Sequence, residues 1–200
     1  MKFSLEKGTL KFDKTLNELD RIVLDFLDLV SKSKIRYVIV SGYVAIFLGR
    51  SRTTEDIDLF IEKLSYRRFS LFFDRLIENG YWIVNTDSKR EAFGFLEDGL
   101  AIRIAEKGKW IPNFEIKFPK KVLDLTILRT PLKVIVKRRI FFMSPLEVQI
   151  PFKLWLGSEK DIEDAVHISE LFKGKLNKEL MAKMSKELKV EKWMKRYGIA

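Results

Sequence analysis

Val40-Ser41-Gly42-Tyr43-Val44-Ala45-Ile46-Phe47-Leu48-Gly49-Arg50-Ser51-Arg52-Thr53-Thr54-Glu55-Asp56-Ile57-Asp58-Leu59 is the stretch that decides the fold. Just before it, Arg36 to Val40 is rich in β-branched residues and predicts a short buried strand. Ser41-Gly42 breaks that strand, and Tyr43 to Leu48 reads as a short helix. Asp56-Ile57-Asp58-Leu59-Phe60-Ile61 begins with period-two alternation and predicts a second strand. Residues two apart on a strand share a face, so Asp56 and Asp58 stand side by side while Ile57 and Leu59 point into the core. Two such carboxylates repel each other unless a cation lies between them. Hard oxygen ligands at this spacing suit Mg²⁺ or Mn²⁺. The upstream half offers what a triphosphate needs. Free N–H groups at a helix start, with the helix dipole, attract anions. Gly42 lets the backbone approach closely, and the Ser41 hydroxyl is an extra donor. Arg52 reaches either a phosphate or a carboxylate that ties the loop down. An Asp-x-Asp on a strand is commonly a solvated edge, and a Ser-Gly break is commoner still; their combination at this spacing carries the functional reading.

Outward from this stretch, composition narrows the chemistry. The 200 residues are 46% hydrophobic and 33% charged, which describes one globular domain, alone or with a small helical appendage. The absence of cysteine excludes thiol catalysis, disulfides and Cys-based zinc sites. His167 is the single histidine, so metal sites needing two are excluded and any metal is held mainly by carboxylates. Met1 to Lys7 lacks the apolar core of a signal peptide, and the longest nearly apolar run, Tyr37 to Gly49, is shorter than the roughly 20 residues a bilayer span takes. A cytoplasmic protein without membrane partners is expected. The net charge of +10 raises the local concentration of polyanions, with nucleic acid, nucleotides and acidic membrane as the candidates and a solvated Lys-rich surface as the plain alternative. One Gln, five Asn and abundant Lys and Glu resemble the bias of thermophile proteins.

The remaining elements follow from periodicity and caps. Thr15 to Ser31 reads as a helix, with Thr15 and Glu18 as its capping box. Ser65 caps a helix that Asn79-Gly80 ends. Strands are expected at Tyr81–Val84, Ala92–Leu96, Leu100–Ala105, Phe114–Phe118, Lys133–Val136 and Ile140–Met143, with Glu97-Asp98-Gly99 as a hairpin turn. Ser144-Pro145-Leu146-Glu147 starts a helix with Ser144 as cap, Ser158 with Asp161 opens the next, and Asn177 caps another before a basic segment from Lys183 to Arg196. The fold class expected is α+β: a mixed sheet with helices on one face over residues 1–143, then a helical part over 144–200.

The strand–Ser-Gly–helix–Arg-x-Thr-x-Asp-h-Asp arrangement, with h apolar, resembles the nucleotidyltransferase superfamily of polymerase-β-like fold. The Asp pair falls on Asp56 and Asp58, and the family's Gly-Ser element falls on Ser41-Gly42, here in the order Ser-Gly. The AbiEii-type toxins share the pattern matched by Arg52, Thr54, Asp56 and Asp58. They also share a later run matched by Ser144-Pro145-Leu146-Glu147, Lys153-Leu154 and Lys160-Asp161-Ile162-Glu163-Asp164. The resemblance implies transfer of a nucleoside monophosphate from an NTP to a hydroxyl acceptor, with Mg²⁺ or Mn²⁺ as cofactor. Asp56 and Asp58 would hold two metal ions, and Ser41, Gly42, Arg52 and Thr54 would bind the nucleotide. Lys153 and Lys160 would neutralise the triphosphate, or else pair with Asp161 and Asp164. A third carboxylate is expected nearby, and it is Glu115 or Asp124, with Glu115 favoured by its alternating strand, or else Glu115 is a surface residue paired with a Lys. His167 reads as a packed helix residue. The Lys-rich tail with Trp193 and Tyr197 fits tRNA or other RNA, or else buries Trp193 on a basic helix end. A toxin would also have a cognate antitoxin as partner. A non-catalytic nucleotide- or RNA-binding module and a small-molecule nucleotidyltransferase are the alternatives.

Overall fold

The computed structural model describes residues 2–199. Its centre is β4 (Asp56–Ile61), where Ile57, Leu59 and Ile61 are buried and Asp56, Asp58 and Phe60 occupy the opposite face. β4 pairs antiparallel with β3 (Tyr37–Ile39) and parallel with β7 (Asn113–Lys117). Beyond β7, β6 (Ile102–Glu106) and β5 (Tyr81–Ile83) extend the sheet by antiparallel pairing. Beyond β3, the parallel neighbour is β9 (Arg139–Met143), joined through one registered pair, Ile39 with Met143. β8 (Leu132–Val136) lies antiparallel to β9, and β2 (Thr9–Asp13) runs parallel to β8. A hairpin with β1 (Lys2–Glu6) completes the order β1-β2-β8-β9-β3-β4-β7-β6-β5.

The main core forms where the Ile57 face meets α1 (Glu18–Lys32), α3 (Tyr66–Glu78) and α4 (Lys89–Asp98). Phe26 of α1 stacks on Phe114 of β7 with ring centroids 3.7 Å apart. Emptying a site of this kind by Phe→Ala costs about 3–5 kcal/mol. The short α2 (Gly42–Phe47) is buried along its whole length, and Tyr43 donates its hydroxyl to the fully buried Asp20 at 2.9 Å. Asp20 also accepts from Lys14 Nζ at 2.9 Å, so its charge is compensated.

The sheet is covered on both faces, not on one as expected. Val38, Val40 and Phe60 make the second face apolar beside the carboxylates, and α5 (Val122–Arg129), α6 (Leu146–Leu156) and α8 (Lys178–Glu187) pack there through Leu123, Ile127, Leu128, Val148, Leu180 and Met184. The last helices, α7 (Glu159–Leu171) and α9 (Glu191–Arg196), bury Ala165, Ile168 and Met194 in the main core. The basic segment therefore divides between α8 and α9.

Other expectations are corrected by local chemistry. Ala92–Leu96 is helical within α4, because Ser88 accepts from the Glu91 amide and Ala92 and Leu96 share one buried face. Glu97-Asp98-Gly99 is then the helix end, with Gly99 in the left-handed conformation that closes it. Helix α1 is capped by Asn17 and Asp20, which exchange side-chain and backbone bonds, rather than by Thr15 and Glu18. Pro145, not Ser144, occupies the cap position of α6. Ser65, Ser158 and Asn177 cap as expected. Among the described residues no helix is long and apolar enough to cross a membrane.

Candidate active site

The site is built where β4, β7 and the β3–α2 turn converge. The Val40 amide donates to the Asp58 carbonyl oxygen at 3.0 Å, so the turn at Ser41-Gly42 follows directly from a residue paired with Asp58. Thr54 Oγ1 donates to the Asp56 backbone oxygen at 2.9 Å and lies 3.3 Å from Asp56 Oδ1, which fixes that carboxylate at the strand start. On β7, Glu115 is the registered neighbour of Asp58. Lys117 follows it on the same face, with Nζ 3.2 Å from Glu115 Oε2 and 3.9 Å from Asp58 Oδ1. From β6, Arg103 Nε donates to Glu115 Oε1 at 2.8 Å.

These neighbours separate the two carboxyls electrostatically. Burial pushes Asp58 above the usual carboxylate range; Asp56 and Glu115 add to that rise, and Lys117 and the Ser41 hydroxyl oppose it without cancelling it. Burial also raises Glu115, but there Lys117 and Arg103 outweigh it and hold the carboxyl below its ordinary value.

The turn facing Asp58 is held under strain. Ser41 adopts φ 63° and ψ −135°, a region that a side chain enters at a cost of about 1–3 kcal/mol. Gln149, buried in α6, donates from Nε2 to the Ser41 carbonyl oxygen at 2.7 Å. Gly42 lies against Arg52, whose guanidinium would have to shift to admit a Cβ there.

Arg52 ties the loop down. Its Nε and Nη2 reach Oδ1 and Oδ2 of Asp164 at 3.2 and 3.0 Å, a two-pronged pair with a buried carboxylate. Lys153 does not line the site: it is 1% exposed and paired with Asp161 at 2.6 Å and Asp164 at 3.0 Å. Lys160 is exposed on α7. Asp124 accepts from the Lys120 and Lys121 amides at 3.4 and 3.0 Å and is engaged in starting α5. His167 meets the Leu48 carbonyl oxygen at 3.1 Å, beside the end of α2. Trp193 is 42% exposed and stacks with Tyr197, and the Arg196 guanidinium lies over both rings.

The structure thus brings together Ser41, Gly42, Thr54, Asp56, Asp58 and Glu115, seats Arg52 against the turn, keeps Lys153 and Asp124 at other tasks, and leaves Lys160 exposed on α7. The sequence offers a lysine partner for Glu115 without singling out Lys117, and gives no assignment to Arg103 or Gln149. The only signals for them were a lone amide in the apolar helix Leu146–Leu156 and basic residues alternating with apolar ones on strands. Among the described residues no group of three His, Cys, Asp or Glu is arranged to hold a metal ion. The Asp56–Asp58 pair does fit Mg²⁺, which takes one or two protein carboxylates and completes its shell with water and phosphate oxygens. A lysine ammonium already seated between Asp58 and Glu115 shows that the spot attracts positive charge.

No protein-family model matches the chain, and no curated protein matches it in sequence. Solved structures do match in shape. An antigenic nucleotidyltransferase-like protein from Paracoccidioides brasiliensis aligns with a TM-score of 0.55 at 17% identity, over 90% of this chain and 91% of that one. A nucleotidyltransferase candidate from H. pylori aligns with a TM-score of 0.43 at 18% identity, over 92% of this chain and 83% of that one. A tRNA-processing enzyme in an apo form aligns with a TM-score of 0.38 at 13% identity, over 93% of this chain and 58% of that one. This chain shares its mixed α+β fold with the Paracoccidioides brasiliensis protein.

Proposed function

We propose that the protein is a metal-dependent nucleotidyltransferase that moves a nucleoside monophosphate from an NTP to a hydroxyl acceptor. The observation that carries this reading is the placement of Asp56 and Asp58 on one face of β4 against the strained Ser41-Gly42 turn. Asp56 and Asp58 would hold Mg²⁺, which supplies charge neutralisation on the triphosphate. Ser41 and Gly42 receive the outer phosphates, Thr54 orients Asp56, and Arg52 keeps the turn packed. The acceptor oxygen bonds to the α-phosphorus as the bond from that phosphorus to its bridging oxygen breaks, and pyrophosphate leaves with the electron pair. The acceptor hydroxyl gives up its proton to solvent, because the Asp56 and Asp58 carboxylates would be engaged with the metal ion and Glu115 is held low between Lys117 and Arg103.

Support for RNA as the acceptor comes from the net charge of +10 and from the exposed Trp193 beside Arg196. The test uses NTPs labelled in turn, total tRNA as acceptor, and Asp56→Ala and Asp58→Ala variants. Pyrophosphate release that both variants abolish is expected. Release that survives in both variants overturns the proposal. Nucleotide binding without any release by the unaltered protein also overturns it and leaves the non-catalytic module.

A further inference from the structure

We propose that Lys117 stands in for a second metal ion: the Asp56–Asp58 pair takes one divalent cation, and Glu115 is a positioning residue for Lys117 rather than a metal ligand. The inference rests on the metal-dependent reading above and departs from the two metal ions and the third carboxylate that the sequence resemblance implies.

Three observations carry it. First, both oxygens of Glu115 are engaged, Oε1 by Arg103 Nε at 2.8 Å and Oε2 by Lys117 Nζ at 3.2 Å. Each bond takes one of its oxygen's two lone pairs, and the two adjacent cations offset the negative charge that would draw a divalent ion. Second, the pairing is built into the sheet. Arg103 and Glu115 are registered neighbours across β6 and β7, and Lys117 lies two positions along β7 on the same face. Glu115 is 9% exposed, so its ionised form persists there because these two cations accompany it. Third, the ammonium already lies between the two carboxylates that a second ion would bridge, 3.9 Å from Asp58 Oδ1. A divalent ion bridging Asp58 and Glu115 would have to expel it. A lysine ammonium is a compact charge with three donors. One is given to Glu115, and the 36% exposure of the Lys117 side chain leaves it open to a substrate oxygen.

Lys117 and Arg103 therefore do different work from the cations that hold the loop at Arg52. Arg103 fixes Glu115, Glu115 fixes Lys117, and Lys117 delivers one positive charge beside Asp58 whether or not metal is present. The site then needs only the ion that Asp56 and Asp58 hold.

The test counts Mn²⁺ bound per chain, from the free-ion signal in electron paramagnetic resonance, with the full chain and no nucleotide. One Mn²⁺ is expected for the unaltered protein, for Lys117→Arg and for Glu115→Gln. Two are expected for Lys117→Met, and Lys117→Gln serves in its place if that variant does not fold. Two ions in the unaltered protein, with one lost in Glu115→Gln, overturn the inference and leave the metal-dependent reading standing. A single ion in the charge-neutral Lys117 variant overturns it as well. No Mn²⁺ bound by the unaltered protein overturns the inference together with the reading beneath it, an outcome that equal titration curves for the unaltered protein and Asp58→Asn would establish.

Discussion

The side-chain amide of Gln149 donates to the carbonyl oxygen of Ser41 at 2.7 Å, joining helix α6 to the turn that faces Asp58. The bond restrains a residue whose backbone lies in the left-handed region, so it does more than satisfy one amide. Gln149→Leu keeps the bulk and removes the donor. Losing the partner of a partly buried carbonyl costs about 1–3 kcal/mol, and the freed turn no longer holds its phosphate-binding shape. We expect a lower Tm and a nucleotide KM raised about tenfold, the equivalent of about 1.4 kcal/mol of lost binding. Thermal denaturation and nucleotide saturation kinetics check both. An unchanged KM in a destabilised protein would assign Gln149 to packing alone.

Asp58 exchanges stability for chemistry. Burial raises its carboxyl, with Asp56 and Glu115 adding to the rise, so the folded protein binds this proton more tightly than the unfolded chain does. Its contribution to stability therefore falls as pH climbs from the ordinary carboxylate value through the raised one. Asp58→Asn removes that slope, and a gain of about 1 kcal/mol at pH 7 corresponds to about 2–4 °C in Tm for a chain of this size. Mg²⁺ raises the Tm of the unaltered protein by mass action and leaves the variant unmoved. Scanning calorimetry with and without Mg²⁺ decides it, and a lower Tm for the variant at pH 7 would contradict this account.

The Lys153–Asp161 pair behaves in the opposite sense. Burial raises Asp161, but Lys153 at 2.6 Å and the Ser158 hydroxyl outweigh it and hold the carboxyl below its ordinary value. A depressed carboxyl stabilises the fold above its unfolded value, about 3.9 for Asp, and loses that contribution as pH falls through the folded one. Acid titration of the unaltered protein should steepen below about pH 4. Asp161→Asn should lose about 1–3 kcal/mol at pH 7, less than a fully broken buried pair because Asp164 still meets Lys153 at 3.0 Å, and should show a shallower acid limb. Circular dichroism followed from pH 7 to pH 2 measures both slopes.

How far these features were legible depends on whether the sequence carries them locally. Asp56 and Asp58 were legible because period-two alternation fixes which side chains share a face. The Ser65, Ser158 and Asn177 caps were legible because a cap is a bond between near neighbours. Arg52 stayed ambiguous because its partner, Asp164, lies on a helix more than a hundred residues away, and spacing alone carries no sign of it. The same distance hid Gln149. Ala92-Phe93-Gly94-Phe95-Leu96 imitated a strand because aromatic residues bracket a glycine, whereas Ser88 and Glu91 just upstream held the better signal. Lys153 was read both as a phosphate ligand and as one half of an ion pair, and only burial, a property of the assembled helices, places it in the pair. The N-terminal hairpin gave no expectation at all, since its alternation is short and its packing partner is β8.

The single registered pair between β3 and β9 has a further consequence, for the order in which the chain acquires its shape. On one side of that seam, β3, β4, β5, β6 and β7 come from one continuous segment, residues 37–117, and pair largely with near neighbours. On the other side, β1, β2, β8 and β9 come from two segments that meet only when Thr9 finds Lys133 across more than a hundred intervening residues. Pairings over such separations form slowly, because long loops must close before they are rewarded. During synthesis the carboxylate-bearing half can therefore assemble first, while the opening hairpin waits for the strands that complete it to leave the ribosome.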